Sequence, residues 1–235
     1  MREALLRHVP DAEVISIPVA DGGEGSVDAF LTAMGGHRVE VSCTGPDFQK
    51  ITGFYGLLAD EYTAVIEMAA AAGLPLMEGK LCAAGATTYG VGELILAAIR
   101  DGAKRIILGL GGSATNDGGC GCAAALGVRF LDGTGEEYIP VGGTLDRLYH
   151  IDMSQRSPLL DGVEIVAMCD VDNPLCGPSG ASAVFGPQKG ADPEMVTILD
   201  RNLRHLSEVI RQDLGREIAN ISGCLLYTSP SPRDS

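Results

Sequence analysis

The residues best suited to chemistry lie in three short polar loops, each placed after a stretch that reads as a β-strand. The richest is Gly111-Gly112-Ser113-Ala114-Thr115-Asn116-Asp117-Gly118-Gly119. Successive backbone N–H groups in a glycine-rich strand-to-helix turn form an anion cradle, and Ser113, Thr115 and Asn116 add short side-chain donors. Asp117 is out of place in a pure anion site. Its carboxylate makes sense where a metal rides with phosphates, or where a substrate hydroxyl must lose a proton. The second loop, Asp21-Gly22-Gly23-Glu24-Gly25, sets two carboxylates among three glycines. They could hold a divalent cation or serve as a base. The same spacing fits a capping-box pair at a helix start, and spacing alone leaves both open. The third loop, Asp170-Val171-Asp172-Asn173-Pro174, again puts acids at a strand end. Lys189 lies downstream as a point charge for a phosphate or carboxylate. A polar turn and a solvated lysine fit that stretch equally well.

A competing pattern overlaps the first loop. Gly109-x-Gly111-x-x-Ala114 matches the dinucleotide fingerprint, follows a strand and precedes a helix, and Asp132 ends the next strand near where a ribose-binding acid would stand. It supports an NAD-dependent oxidoreductase. Against it, residues 115–119 put polar groups and two more glycines where the fingerprint wants an apolar helix start. A Walker A loop is excluded, because its lysine is missing.

The elements that must position these loops alternate in the α/β manner. Residues 3–8 read as the end of a helix and 14–19 as a strand entering the acidic glycine loop. A helix follows with Val27, Phe30, Leu31 and Met34 on one face, closed by Gly35-Gly36. Strand-like runs occupy 37–43, 51–58 and 62–68. Val91, Leu94, Ile95 and Ala98 align on another helix, and 105–108 is the strand that feeds Gly109. A small-residue helix over 120–126, a short strand over 128–131, a loop-rich stretch over 132–157 and a buried strand over 163–169 come next. The last helix, 196–214, carries Val196, Leu199, Leu203, Leu206 and Ile210 at three- and four-residue steps, with Asp192 as N-cap and Pro193 at the first position.

Composition narrows the function class. The 235 residues carry 17 basic and 31 acidic side chains, a net charge of −14. That balance argues against a nucleic-acid-coating protein, which needs clustered Lys and Arg. Glycine, at 32 residues, stands at roughly twice its usual share of about 7%, as tight turns and close backbone approaches require. No run approaches the length of a membrane span and no leader is visible. The seven cysteines are scattered, with no C-x-x-C pair, and read as reduced thiols of a cytoplasmic protein. The Ser/Pro-rich tail over 224–235 has no periodicity. It resembles translated adapter sequence and is set aside from the fold.

Four segments carry a family resemblance. Val19-Ala20-Asp21-Gly22-Gly23-Glu24-Gly25-Ser26, Ala86-Thr87-Thr88-Tyr89-Gly90-Val91-Gly92-Glu93-Leu94, the run from Gly109 through Gly119, and Phe185-Gly186-Pro187-Gln188-Lys189-Gly190 resemble signatures of the bacterial glycerate kinase family, in the family's order. The resemblance implies ATP- and Mg2+-dependent phosphorylation of glycerate. It also implies an α/β architecture of two domains with the site in the cleft between them. Residues 1–36 would be a fragment of the first, flavodoxin-like domain, and 37–223 the inserted second α/β domain. By the same resemblance, Gly111, Gly112, Ser113, Thr115, Asn116 and Gly118 would bind phosphate or glycerate. Asp21 or Asp117 would orient or deprotonate the hydroxyl, Glu24 and Asp170 would serve magnesium, and Lys189 would steady a negative oxygen. The family's opening strand and its C-terminal glycine-rich segment have no match here. The chain by itself is therefore expected to be inactive, and a non-catalytic truncated product is the remaining alternative.

Overall fold

In the computed structural model, residues 2–10, 12–14, 19 and 21–219 are described. Most of the expected strand over 14–19, and all of the tail over 224–235, lie outside them. Two helices, α1 (Arg2–His8) and α2 (Ser26–Met34), come first. Then follow β1 (Gly36–Thr44), β2 (Lys50–Leu58), β3 (Thr63–Glu67), α3 (Ala69–Ala72), α4 (Tyr89–Arg100) and β4 (Arg105–Gly109). The second half holds α5 (Cys120–Ala125), β5 (Arg129–Asp132), β6 (Glu137–Tyr138), β7 (Leu148–Asp152), β8 (Glu164–Met168), α6 (Ala181–Phe185) and α7 (Pro193–Leu214).

The main sheet has the order β1-β2-β3-β4-β8. Its first half is antiparallel, with β1 and β2 paired from Gly36 opposite Leu58 to Thr44 opposite Lys50. Its second half, β3-β4-β8, is parallel and in register, with Val65 opposite Ile107 and Ile107 opposite Val166. All five residues of β3 are buried, as an apolar central strand covered on both faces should be. One face receives α4 through Val91, Leu94, Ile95 and Ala98. The other receives α2, where Val27 packs on Leu58 and Val65. A smaller antiparallel sheet, β6-β5-β7, carries α7, whose Leu203, Leu206, Val209 and Ile210 meet Phe130, Leu145, Leu148 and Ile151.

Two local expectations change. The loop-rich stretch over 132–157 contains β6, which at two residues has no room for a period-two pattern, and β7, whose burial does not alternate, with Leu148 and Ile151 buried and Tyr149 and His150 exposed between them. The strand expected to be buried over 163–169 is half-exposed at all five positions of β8, which among the described residues stands at the end of the sheet order. The α7 start follows the expected chemistry: the Met195 N–H donates to Asp192 at 2.8 Å.

The contact between α4 and α5 is made by small residues. A Cβ on Gly92 would lie 2.4 Å from the Cys122 carbonyl oxygen and 2.7 Å from the Ala125 Cβ. Gly92→Ala is therefore expected to destabilise the protein by about 2 kcal/mol, as overpacking does. A urea midpoint equal to the parent's would show that the two helices have room to part.

Candidate active site

The three loops converge at the carboxyl ends of the parallel strands, where α/β sheets place their ligands. Met68, after β3, donates its N–H to the Gly109 carbonyl at 2.8 Å. Leu110, after β4, donates to the carbonyl of Met168 at the end of β8 at 3.2 Å, and Gly111 donates to the carbonyl of Gly22 at 3.0 Å. Glycine makes this approach possible. A Cβ on Gly109 would sit 2.4 Å from the Gly22 oxygen, and one on Gly111 would sit 2.7 Å from the Gly23 Cα. These contacts redirect the dinucleotide fingerprint. Gly109 and Gly111 are covered by residues 22 and 23, no helix begins before α5 at Cys120, and Asp132 lies on the smaller sheet. There Asp132 accepts from Thr134 and Arg147 instead of facing a ribose.

In the second loop, Asp21 is exposed and accepts the Gly23 N–H at 2.9 Å. It does not cap α2, whose N-terminus has no local side-chain cap. Glu67 supplies one across the sheet, accepting the Val27 N–H at 2.6 Å. Ser26 ties the loop together by donating to the Gly23 carbonyl at 2.7 Å and accepting from the Gly22 N–H at 3.2 Å. Glu24 is exposed and leans over Gly112, where an added Cβ would lie 3.2 Å from its Oε1. Asp170 is exposed beyond β8.

Glu67 was invisible in the sequence, where it merely ended a strand. It is 3% exposed, and burial pushes its carboxyl above the usual range against the pull of the Val27 and Gly25 N–H groups. A folded pKa above the unfolded one gives stability that is present at low pH and lost as pH rises through the folded value. Glu67→Gln removes that titration. The stability of the variant relative to the parent should therefore improve steadily as the pH of urea unfolding is raised from about 4 to 7. A constant difference would show that Glu67 does not ionise differently on folding.

Asp117 is 1% exposed, and both its oxygens are taken. Oδ2 accepts from the Thr88 N–H and Thr88 hydroxyl, each at 2.8 Å, and from the Gly121 N–H at 3.2 Å. Oδ1 accepts from the Gly119 N–H at 3.0 Å. Thr88 in turn accepts the Cys122 N–H at 2.8 Å. One carboxylate thus joins the first turns of α4 and α5. Desolvation raises its pKa, opposed by these four donors.

Lys189 is buried and reaches into the same loop. Its Nζ donates to Ser113 Oγ at 2.9 Å and to the Thr115 carbonyl at 2.7 Å. Burial pulls its pKa down to about 8, with Asp117 acting in the opposite direction. Its main chain is held too, since the Ala83 N–H donates to the Lys189 carbonyl at 3.1 Å. Asn116 is buried and donates to the Ser182 hydroxyl at 3.1 Å. Gly118, at φ +60, passes under Leu206 of α7. Ser113, Thr115, Asn116, Asp117 and Lys189 border one small cavity whose remaining walls include Met68, Leu110, Leu175 and Leu203. Ser182 was missed in the sequence because nothing local marks it. Its partner is 66 residues away.

No cluster of three or more His, Cys, Asp or Glu side chains able to hold a metal occurs among the described residues. No helix among them is long and apolar enough to cross a membrane.

The glycerate kinase family model matches residues 1–224. Glycerate kinase of Bacillus cereus is 51% identical, over 91% of this chain and 56% of its own length. Glycerate 2-kinase of Escherichia coli K12 is 47% identical, over 91% of this chain and 56% of its own. The chain thus spans little more than half the length of these relatives. A crystal structure described as a candidate glycerate kinase 2 from Salmonella typhimurium LT2 aligns with a TM-score of 0.85 at 43% identity, over 94% of this chain and 60% of the other. By sequence and by fold, the chain belongs to the glycerate kinase family.

Proposed function

We propose that the complete protein to which this sequence corresponds phosphorylates glycerate with ATP, and that the loops described above form one wall of its active site. The observation that carries this reading is the convergence of residues 21–25, 109–119 and 168–170 at the ends of three parallel strands, with the buried ammonium of Lys189 beneath them. In this reading a glycerate hydroxyl attacks the γ-phosphorus in line. An O–P bond forms, the bond to the ADP oxygen breaks, and the hydroxyl proton passes to a carboxylate. Asp21 is the candidate base, because it is exposed and only one of its oxygens has a hydrogen bond. Asp117, with both oxygens engaged, is assigned to positioning. The N–H groups of Gly112 and Gly118, with Ser113, Thr115 and Asn116, present donors to anionic oxygens, while Gly111, whose N–H is held by the Gly22 carbonyl, shapes the turn.

A magnesium ion that arrives with ATP brings phosphate ligands of its own and needs only one or two carboxylates from the protein. Glu24 and Asp170 suit that need better than they would suit an all-protein metal cage. When bound, the ion neutralises charge on the phosphates. A cytoplasmic location belongs to the same reading: ATP-dependent chemistry and unpaired cysteines, six among the described residues, both suit a reducing compartment. The reading also keeps the two-domain division, with residues 1–36 belonging to a first, flavodoxin-like domain and 37–223 to the second.

The test is ADP formation from Mg-ATP and glycerate, run on this chain and on a chimera carrying residues 1–219 in the matching span of the E. coli relative. The chimera is expected to turn over, and this chain alone is expected to be silent. A folded chimera that releases no ADP would overturn the reading.

A further inference from the structure

The outer edge of β1 lies apart from the candidate site and has no partner among the described residues. β1 runs for nine residues, Gly36–Thr44, and pairs with β2 from end to end without a bulge. Most strands are shorter, at about 5–6 residues. An edge of this length presents a row of N–H and C=O groups, and proteins blunt such edges with proline, lysine, a bulge or a cover. β1 has no proline, no lysine and no bulge. Its Val39 and Val41 pack on the α4 side of the core but stay partly open. On the opposite face Arg38, Glu40 and Ser42 are exposed. Arg38 stacks on Phe54, 3.4 Å from the ring centroid, and is only loosely paired with Asp28, at 3.7 Å. Glu40 takes part in none of the ion pairs among the described residues.

The order of these charges decides the partner. Directly opposite residues of an antiparallel pair are either both hydrogen-bonded or both not. A strand that pairs with its own copy must therefore set the two-fold axis on a residue, not between two. With the axis on Arg38 or on Glu40, like charges meet. With it on His37, Arg38 meets Gly36, and with it on Val41, Glu40 meets Ser42. Only the axis on Val39 sets Arg38 opposite Glu40, and it does so twice, once on each side. Gly36–Ser42 then pairs with the same span of the second copy. Val39 meets its own counterpart and Val41 meets His37, which covers both half-open valines. We propose that β1 joins two copies of this chain by antiparallel pairing about Val39, forming one continuous sheet whose register is set by the reciprocal Arg38–Glu40 pairs. Such a contact closes on itself and leaves no edge of β1 free. β8, at the other end of the sheet, carries a single charged residue, Glu164, and has no self-complementary pattern. The general repulsion between two chains of net charge −14 is screened beyond about 8 Å at physiological salt, whereas the Arg38–Glu40 pairs are in direct contact.

Sedimentation velocity tests the assignment, on this chain and on the chimera that carries residues 1–219. Both are expected to sediment as dimers. Arg38→Glu and Glu40→Arg each set like charges opposite one another at both positions, and each should raise the dimer dissociation constant by about tenfold or more. The doubly exchanged Arg38→Glu/Glu40→Arg variant should return to the parent's value. Mixed in equal amounts, the two single variants should dimerise with each other and not with themselves, because one presents two acids to the other's two bases. A folding defect would not be rescued by exchange or by mixing, so these two results separate the interface from stability. A parent that is monomeric at every concentration reached would overturn the assignment. A dimer indifferent to both single substitutions would place the interface elsewhere and overturn it as well. A dimeric chain beside a monomeric chimera would show that the rest of the complete protein covers the edge, and would overturn it for the complete protein.

Discussion

Replacing Lys189 by Met in the chimera is expected to lower kcat/KM for glycerate by about a hundredfold, the scale for loss of one preorganised donor at a charged centre. The size of the effect comes from burial. The ammonium sits in a medium where a charge–charge interaction is far stronger than in water, and it is already held by Ser113 and Thr115, so no side-chain ordering is required on binding. The same burial sets a pH dependence. With its pKa pulled down to about 8, Lys189 is charged below that value and neutral above it. The kcat/KM of the parent chimera should therefore fall as pH rises through about 8. A Lys189→Arg variant, charged at every accessible pH, should lose rate at neutral pH but show no such fall. A flat parent profile between pH 7 and 9 would remove Lys189 from the reacting charge.

Asp117→Ala should have the second largest effect, and it should appear first in stability. The substitution leaves the Thr88, Gly119 and Gly121 N–H groups and the Thr88 hydroxyl without their acceptor, inside the protein. It also leaves Lys189 without its neighbouring negative charge. Buried donors stripped of a partner cost about 1–3 kcal/mol each before relaxation. A net loss of about 4 kcal/mol and a fall in Tm of about 10 °C are expected. Asp117→Asn separates holding from chemistry. The amide offers one acceptor oxygen where the carboxylate offers two, so a positioning residue should lose stability and activity together. If Asp117→Asn melts like the parent and still loses more than about a hundredfold in kcat, Asp117 is the base and the assignment to Asp21 is wrong.

The elements with a clear period were legible in the sequence, and those held by distant partners were not. Helix α4 was readable because Val91, Leu94, Ile95 and Ala98 face one side, and α7 because its apolar ridge is long and its N-cap local. The strands β1 to β4 announced themselves as apolar or alternating runs bounded by glycine and acidic turns. By contrast β6, at two residues, has no room for a pattern. The half-exposed state of β8 depends on its place in the sheet, which its own residues do not encode. The candidate loops were found because glycine and acids cluster in them. What they touch was not. Glu67 caps a helix through Val27, 40 residues earlier, and the glycines of the apparent dinucleotide fingerprint are taken up by the backbone of residues 22 and 23.

The parallel pairing of β4 with β8 has a consequence for how the protein reaches its native state. The chain leaves the main sheet at Gly109, builds the whole of the smaller sheet, and returns only at Glu164. The Lys189–Ser113 contact closes a still longer loop, of 76 residues. Closing such loops costs entropy that no local contact repays, so high contact order slows folding. The hairpin β1–β2 can form early and alone, whereas the cavity around Lys189 belongs to the last structure to assemble. During synthesis, the ammonium cannot find Ser113 until the chain past α6 has left the ribosome. Until then the cavity lacks the walls that Leu175, Lys189 and Leu203 supply, and an unfinished apolar surface of that kind is what a chaperone recognises.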